Sequence, residues 1–167
     1  MTFFDLLHMF FSGTNLALIG AALAVILPCI GSAKGVGMVG EATAGVIAED
    51  PTKFGKALIL QALPGTQGIY GFITAFIAVI IKLNVLSGNF VTLTDAQGLF
   101  FLSACLPIAV VGYFSAIKQA RVACAGVNIL AKRPDQFIKG VISAALVETY
   151  AIFALLVSLL MILSFQL

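Results

Sequence analysis

One acidic side chain lies deep in an apolar stretch of this sequence. Glu148 is the only charged residue from Gly140 onwards, set in AALVETYAIFALLVSLLMIL. A charge in membrane hydrocarbon is costly, and intramembrane carboxylates usually mark ion or proton pathways. Glu148 is therefore the first candidate for the chemistry of this chain.

A second polar group follows helical spacing in the segment ALPGTQGIYGF. Spacings of three, four and seven residues place four positions on one helix face: Leu63, Thr66, Gln67 and Tyr70. Taken singly, Thr66 or Gln67 is explained by hydrogen bonds that join neighbouring helices. Taken together with a carboxylate, the group predicts an ion site, in which Tyr70 hydrogen-bonds the carboxylate.

The backbone beside this face is predicted to be irregular. Pro64 removes a hydrogen-bond donor and crowds the carbonyl of Leu60, and Gly65 loosens the next peptide. Carbonyl oxygens freed in this way must find partners in lipid, and a cation is one such partner. Gln119, on another predicted helix, should lie at a depth that Glu148 can reach. A carboxylate, two carboxamides, a hydroxyl and a carbonyl are hard oxygen donors, which suit a hard, non-redox cation and not zinc, copper or iron.

The composition is that of an integral membrane protein. The chain is 61% hydrophobic and 10% charged, with a mean hydropathy of +1.14. Four segments reach the length of about 20 residues that a spanning helix needs. They are called the first to fourth spans here, and they cover roughly 13–48, 52–83, 96–132 and 134–166. We interpret residues 1–12 as a lead-in to the first span and not as a cleaved signal. The sequence lacks a GxxxxGK[ST] motif, so the chain should not bind a nucleotide itself. We expect contact with lipid and none with nucleic acid.

The two halves of the chain are copies. An offset of 83 residues aligns them without gaps and pairs, for example, Pro51 with Pro134. Both halves run in the same direction, which indicates a parallel repeat of one hairpin. At the key position Glu148 is paired with Gly65, so one half has lost the acid. We expect a single membrane domain, 1–167, made of two hairpin repeats, 1–83 and 84–167.

The basic residues predict the orientation. Most of them flank the two short turns inside the hairpins, and only Lys82 lies at the opposite end of its span. Positive charge marks the cytoplasmic side. The short turns should therefore be cytoplasmic and both termini should lie on the other side of the cell membrane.

The first span is rich in glycine, in GSAKGVGMVGEATAG. Small residues let helix backbones approach closely in lipid, so this face is predicted to pack tightly against another helix. Glu41, in the same segment, is interpreted as a solvated helix charge.

Three segments carry a specific resemblance. GSAKGVGMVGEA, ALILQALPGTQGIYGF and VISAALVETYAI closely resemble the rotor-ring proteolipid of V-type rotary ATPases, and above all the four-helix, duplicated form of the bacterial sodium-pumping enzymes. The resemblance covers about residues 13–165. It implies an all-α membrane protein of four transmembrane helices in two tandem-duplicated hairpins, which assembles with identical protomers into a ring. It also implies a Na⁺ site made by Glu148, Gln119, Gln67, Thr66 and the main-chain oxygen of Leu63, with Tyr70 holding the carboxylate.

The resemblance further implies that this chain is not itself an enzyme. In the family a separate soluble head hydrolyses ATP and turns the ring through a central shaft. An arginine of the stator meets each carboxylate in passing. A bound cation would neutralise Glu148 and let it face lipid, whereas the empty carboxylate would be confined to the polar stator. Losing the acid at Gly65 halves the ions carried per pair of hairpins, which favours a pump over a synthase.

Two alternatives remain open at this point. In the first, the fold is the same and the ion is H⁺. A proton site needs only a carboxyl group in an apolar pocket, so Gln67 and Gln119 would not be required. In the second, the chain is a stand-alone four-helix transporter or channel. That alternative predicts function without partners and does not explain the asymmetric repeat.

Overall fold

The computed structural model describes residues 2–84 and 91–165, without the side chains of His8 and Met9. These residues form a short helix, Phe3–Phe10, and then four helices long and apolar enough to cross a membrane. The four spans are Gly13–Glu49, Pro51–Lys82, Asp95–Lys132 and Pro134–Ser164. The prediction of an all-α protein with four spans is confirmed, and each described boundary lies close to its expected position. The predicted end of the fourth span at residue 166 lies outside the described residues, as do residues 85–90 of the loop between the hairpins.

The lead-in to the first span is a separate helix and not a continuation of that span. Phe3–Phe10 ends before Ser12, whose extended backbone (φ −61°, ψ 149°) begins the first span. Phe3, Phe4 and Phe10 on this short helix are strongly exposed.

Capping side chains and prolines explain where three of the spans begin. Asp50 accepts a hydrogen bond from the backbone N–H of Thr52, and Pro51 takes the position where a missing N–H costs nothing. The hydrogen bond from the Thr52 side chain also holds the pKa of the Asp50 carboxyl below its usual value. Thr94 and Gln97 form a reciprocal capping box at the start of the third span. Pro134 takes the first position of the fourth span, as Pro51 does in the second, but Arg133 before it makes no side-chain capping hydrogen bond.

The second span is not a uniform α-helix. Its two α-helical parts, Phe54–Ala62 and Thr66–Phe76, are separated by a 3₁₀ turn at Leu63–Gly65, and it ends in a π-helical turn at Ile77–Lys82. Pro64 explains the 3₁₀ turn, because it lacks the N–H that would continue the α-helical ladder. The interruption falls next to the predicted ion-site residues.

The first and third spans form the most extensive contact in the protein. Their backbones approach closely, since a Cβ atom at Gly20 would lie only 2.7 Å from the Cα of Leu102. Small residues such as Ala17, Ala21 and Ala24 are fully or almost fully buried along the same span. In the glycine-rich segment itself, Gly31 and Gly35 are buried against neighbouring helices, whereas a Cβ atom at Gly37 or Gly45 would have nothing within 4 Å. The predicted tight packing therefore holds for one part of that segment and not for all of it.

The second and fourth spans pack on the first and third, respectively, and present large apolar side chains outward. Phe72, Phe76, Phe153 and Leu156 are all about half exposed or more. Such a surface suits lipid, in which apolar exposure carries no cost.

Lysines tie the ends of the hairpins together. Lys53 and Lys56 of the first turn donate to the carbonyls of Ala131 and Pro134 beside the second turn. At the other end, Lys82 donates to the carbonyl oxygens of Leu163 and Phe165, at the end of the fourth span. The two hairpins are therefore joined at both ends by charge-assisted hydrogen bonds.

Candidate ion-binding site

The carboxylate of Glu148 lies in the middle of the fourth span and is held by two donors. The Tyr70 hydroxyl donates to its Oε1 at 2.5 Å, and the Gln119 side-chain amide donates to its Oε2 at 3.2 Å. Glu148 itself is half-buried. Three different spans thus meet at one carboxylate.

The two carboxamides lie behind the carboxylate, in the interior of the bundle. Gln67 and Gln119 are both fully buried, and the Gln67 amide donates to Gln119 Oε1 at 2.5 Å. Burial of two amides is costly unless their polar atoms are paired. Their pairing therefore fixes how the second and third spans meet.

The 3₁₀ turn of the second span supplies the remaining oxygens. Thr66 donates from its hydroxyl to the carbonyl oxygen of Leu63 at 3.0 Å, and the same hydroxyl lies 3.5 Å from Gln67 Oε1. Helical spacing alone places Thr66 and Gln67 beside each other. The turn brings the Leu63 carbonyl to the same place, because Pro64 and Gly65 interrupt the ladder that would otherwise occupy it.

Ser115 belongs to the same network and was not singled out from the sequence. Its hydroxyl accepts from the Gln67 amide at 3.4 Å and donates to the carbonyl oxygen of Val147 at 3.1 Å. Two signals could have found it: Ser115 precedes Gln119 by one helical turn, and the repeat pairs it with Ser32. It joins the third span to the backbone just before Glu148.

The groups that contact Glu148 do not neutralise the negative charge of its carboxylate. Both groups that touch the carboxylate are neutral donors, and within residues 2–84 and 91–165 Glu148 has no ion pair. A buried or half-buried carboxylate without a cation is expensive. Oxygen atoms of Glu148, Gln119, Gln67, Thr66 and Leu63 lie along one connected set of hydrogen bonds, and such oxygens suit a hard cation.

The first half of the chain has no acidic side chain at the position equivalent to Glu148. Gly65 takes the place of Glu148, and a Cβ atom at Gly65 would meet only the Val36 side chain, at 3.5 Å. Val36 itself takes the place of Gln119. The first half therefore lacks both the acid and the amide that supports it.

Comparison with known proteins agrees with this duplicated architecture. The model of the ATP synthase C-subunit family matches the chain twice, at residues 19–78 and 102–161, which is the same offset as the internal repeat. The chain is 53% identical to the V-type sodium ATPase subunit K of Enterococcus hirae, over 91% of this chain and 93% of that protein. It is also 39% identical to the A-type ATP synthase subunit K of Methanocaldococcus jannaschii, over 88% of this chain and 61% of that protein. The chain therefore belongs to the ATP synthase C-subunit family, and the family's helical hairpin is present twice in it.

Proposed function

We propose that this chain is the ion-carrying rotor subunit of a V-type ATPase and that it moves Na⁺ by reversible binding at Glu148. The observation that carries the proposal is the connected set of oxygen ligands from three spans around Glu148, a carboxylate that has no ion pair among the described residues. The chain is a non-catalytic membrane component of the complex, and ATP hydrolysis takes place on other subunits.

The donor set supports Na⁺ as the bound ion. Gln67 and Gln119 are fully buried, although a proton site would need neither of them. For the ion to bind, the Gln67–Gln119 hydrogen bond would open and both amide oxygens would turn towards it. Thr66 and the Leu63 carbonyl already lie beside Gln67 Oε1 and would complete the oxygen shell. The E. hirae relative is named as a sodium ATPase subunit, in agreement with this assignment.

Charge neutralisation links binding to rotation. With Na⁺ bound, Glu148 carries no net charge in its site and can face lipid. Without Na⁺, the ionised carboxylate requires a polar partner, which in the proposed complex is an arginine of the stator. Ions would thus be exchanged only at the stator. The ion-loaded sites would face the lipid during the rest of each rotation of the ring.

The proposal also covers the assembly, the repeats and the membrane orientation of the chain. These parts rest on the family resemblance and on the positions of the basic residues. Identical protomers form a membrane ring that a central-shaft subunit turns. The whole chain acts as one membrane domain, with 1–83 and 84–167 as its two repeats. The lysines at the short hairpin turns support a cytoplasmic position for those turns and a position of both termini on the other side of the cell membrane.

Carbodiimide labelling tests the proposal. A hydrophobic carbodiimide reacts with Glu148 of purified protein, and the rate is followed at several pH values with Na⁺, or with K⁺ as the ionic-strength control. We expect Na⁺ to slow the reaction while K⁺ has little effect, because only the bound ion shields the carboxylate. A rate that depends on pH but not on Na⁺ would favour the proton alternative. Glu148→Gln, which removes the reactive group, shows the background.

A further inference from the structure

The side-chain amide of Gln67 can face the ion site with either of its two ends. Its oxygen can bind a cation, whereas its nitrogen carries two protons and would repel one. Gln67 is fully buried, so the groups that contact the nitrogen decide which end faces the ion. Two acceptors among the described residues contact this nitrogen. They are Gln119 Oε1 at 2.5 Å and the Ser115 hydroxyl at 3.4 Å.

Only one of these acceptors can stay in place when the ion binds. In the proposed site the Gln67–Gln119 hydrogen bond opens, because the Gln119 oxygen is itself a ligand of the ion. The protons of the Gln67 amide would then have no partner in the interior, and an unpaired buried donor is costly. In the described part of the chain, Ser115 is the remaining acceptor within hydrogen-bond distance of the Gln67 nitrogen.

The Ser115 hydroxyl can act only as an acceptor towards Gln67. A hydroxyl has one proton, and Ser115 donates it to the carbonyl oxygen of Val147 at 3.1 Å. A carbonyl oxygen has no proton to donate in return, so the direction of this hydrogen bond is fixed. The side of Ser115 that faces Gln67 therefore offers lone pairs, which match the amide nitrogen and not the amide oxygen.

The oxygen end of Gln67 faces the other side of the site. Gln67 Oε1 lies 3.5 Å from the Thr66 hydroxyl, and this hydroxyl lies 3.0 Å from the Leu63 carbonyl oxygen. One end of the amide thus points to the oxygen ligands of the second span. The other end points to Ser115 on the third span, which supports the amide from behind.

The equivalent serine in the first half has a different role. Ser32 is the counterpart of Ser115, and its hydroxyl accepts a hydrogen bond from the backbone N–H of Gly68 at 2.9 Å. Tyr150 is the counterpart of Gln67, has no amide and is 65% exposed. Support of a buried amide by the serine is therefore tied to the half that keeps the acid, and it is not a general property of the repeat.

We infer that Ser115 is a positioning residue of the ion site: its hydroxyl donates to the Val147 carbonyl, holds the nitrogen of Gln67 and so keeps the Gln67 oxygen turned towards the ion. Ser115 acts through Gln67 and does not bind the ion itself. The inference rests on the proposed function, because it assigns a role to one further residue of the same Na⁺ site.

The variant Ser115→Ala tests this role in purified rings. The measured quantity is the Na⁺ concentration that halves the rate of carbodiimide reaction at Glu148. We expect it to rise about three- to tenfold, which is the effect of losing one hydrogen bond between neutral groups. The rate without Na⁺ should stay the same, because the carboxylate is held by Tyr70 and Gln119 and not by Ser115. Ser115→Thr, which keeps the hydroxyl, should recover most of the Na⁺ affinity.

Ser158→Ala is the matched control for packing. Ser158 is also a buried serine between the third and fourth spans, and its hydroxyl accepts from the backbone N–H of Ile108 at 3.2 Å. It follows Glu148 by ten residues, or about 15 Å along the helix. We expect both alanine variants to lower the thermal unfolding midpoint and only Ser115→Ala to weaken Na⁺ protection. Equal weakening in both variants would overturn the inference.

A double-variant cycle identifies the route by which Ser115 acts. In a Gln67→Leu protein the amide is already absent, so Ser115→Ala should have little further effect on Na⁺ affinity. An equally large effect with and without the Gln67 amide would place the action of Ser115 on the backbone at Val147. That result would overturn the inference.

The outcomes separate the role of Ser115 from the Na⁺ site itself. Normal Na⁺ protection in Ser115→Ala, together with normal protection in the unchanged protein, would overturn the positioning role while the proposed function stands. No protection of the unchanged protein by Na⁺ would overturn both. Failure of Ser115→Thr to recover Na⁺ affinity, in a protein with an unchanged unfolding midpoint, would also contradict the role of the hydroxyl.

Discussion

Replacement of Gln119 by leucine is the sharpest test of the ion site. The Gln119 side chain is fully buried, accepts from the Gln67 amide at 2.5 Å and donates to Glu148 Oε2 at 3.2 Å. Leucine has a similar size, so the change removes the polar contacts with little change in packing. In the proposed site it also removes one oxygen ligand of the ion.

The expected loss can be worked out from these contacts. A hydrogen bond to a charged group contributes about 1.5–3 kcal/mol, and we take the same range for the lost ligand. Since about 1.4 kcal/mol is a factor of ten, the Na⁺ affinity should fall roughly 10- to 150-fold. Ring assembly should persist, because Gln119 is fully buried inside the chain and does not reach its outer surface.

Equilibrium dialysis of purified rings with radioactive Na⁺ measures the affinity. Gln61→Leu is the matched control, since it makes the same chemical change on the second span, where the Gln61 amide lies near Gly40 and away from Glu148. Gln119→Asn, which keeps the amide but shortens the side chain, provides a milder variant if the leucine variant does not assemble. Unchanged Na⁺ affinity in intact Gln119→Leu rings would refute the reasoning and reduce Gln119 to a link between helices.

Two further predictions concern the support of the carboxylate and the packing of the spans. Tyr70→Phe removes the hydroxyl that donates to Glu148 at 2.5 Å, so dialysis should show Na⁺ affinity reduced about tenfold or more in intact rings; equal affinity would contradict a role for the hydroxyl. Gly20→Ala places a Cβ atom 2.7 Å from the Cα of Leu102, and overpacking of this kind typically costs about 1–3 kcal/mol, which should lower the thermal unfolding midpoint. Gly45→Ala, with nothing within 4 Å, should not lower the midpoint, since alanine favours a helix more than glycine does, and an equal drop in both variants would argue against the close contact.

The sequence was sufficient for the spans and for the repeat. Apolar length defined four helices, and the offset of 83 residues indicated two parallel hairpins, because both signals are local or directly visible in the residue order. The start of the second span is equally local, since the capping by Asp50 and the position of Pro51 depend on neighbouring residues alone.

The site was only partly accessible to sequence reasoning. Helical spacing put Thr66, Gln67 and Tyr70 on one face, but spacing within one helix does not say which residues of other spans they meet. The buried Gln67–Gln119 contact and the link from Ser115 to Val147 depend on how the spans are packed. The π-helical turn at the end of the second span and the separate helix at the start of the chain also had no distinct sequence signal.

The central claim is that Glu148 is the single ion-carrying group of each chain. Its most direct test is the number of Na⁺ ions bound at saturation by purified rings, with the Glu148→Gln variant measured beside the unchanged protein. We predict one Na⁺ per chain in the unchanged protein and none in the variant, because the first half has Gly65 and Val36 where the second half has its acid and amide. Two ions per chain, or undiminished binding in Glu148→Gln rings, would contradict the claim.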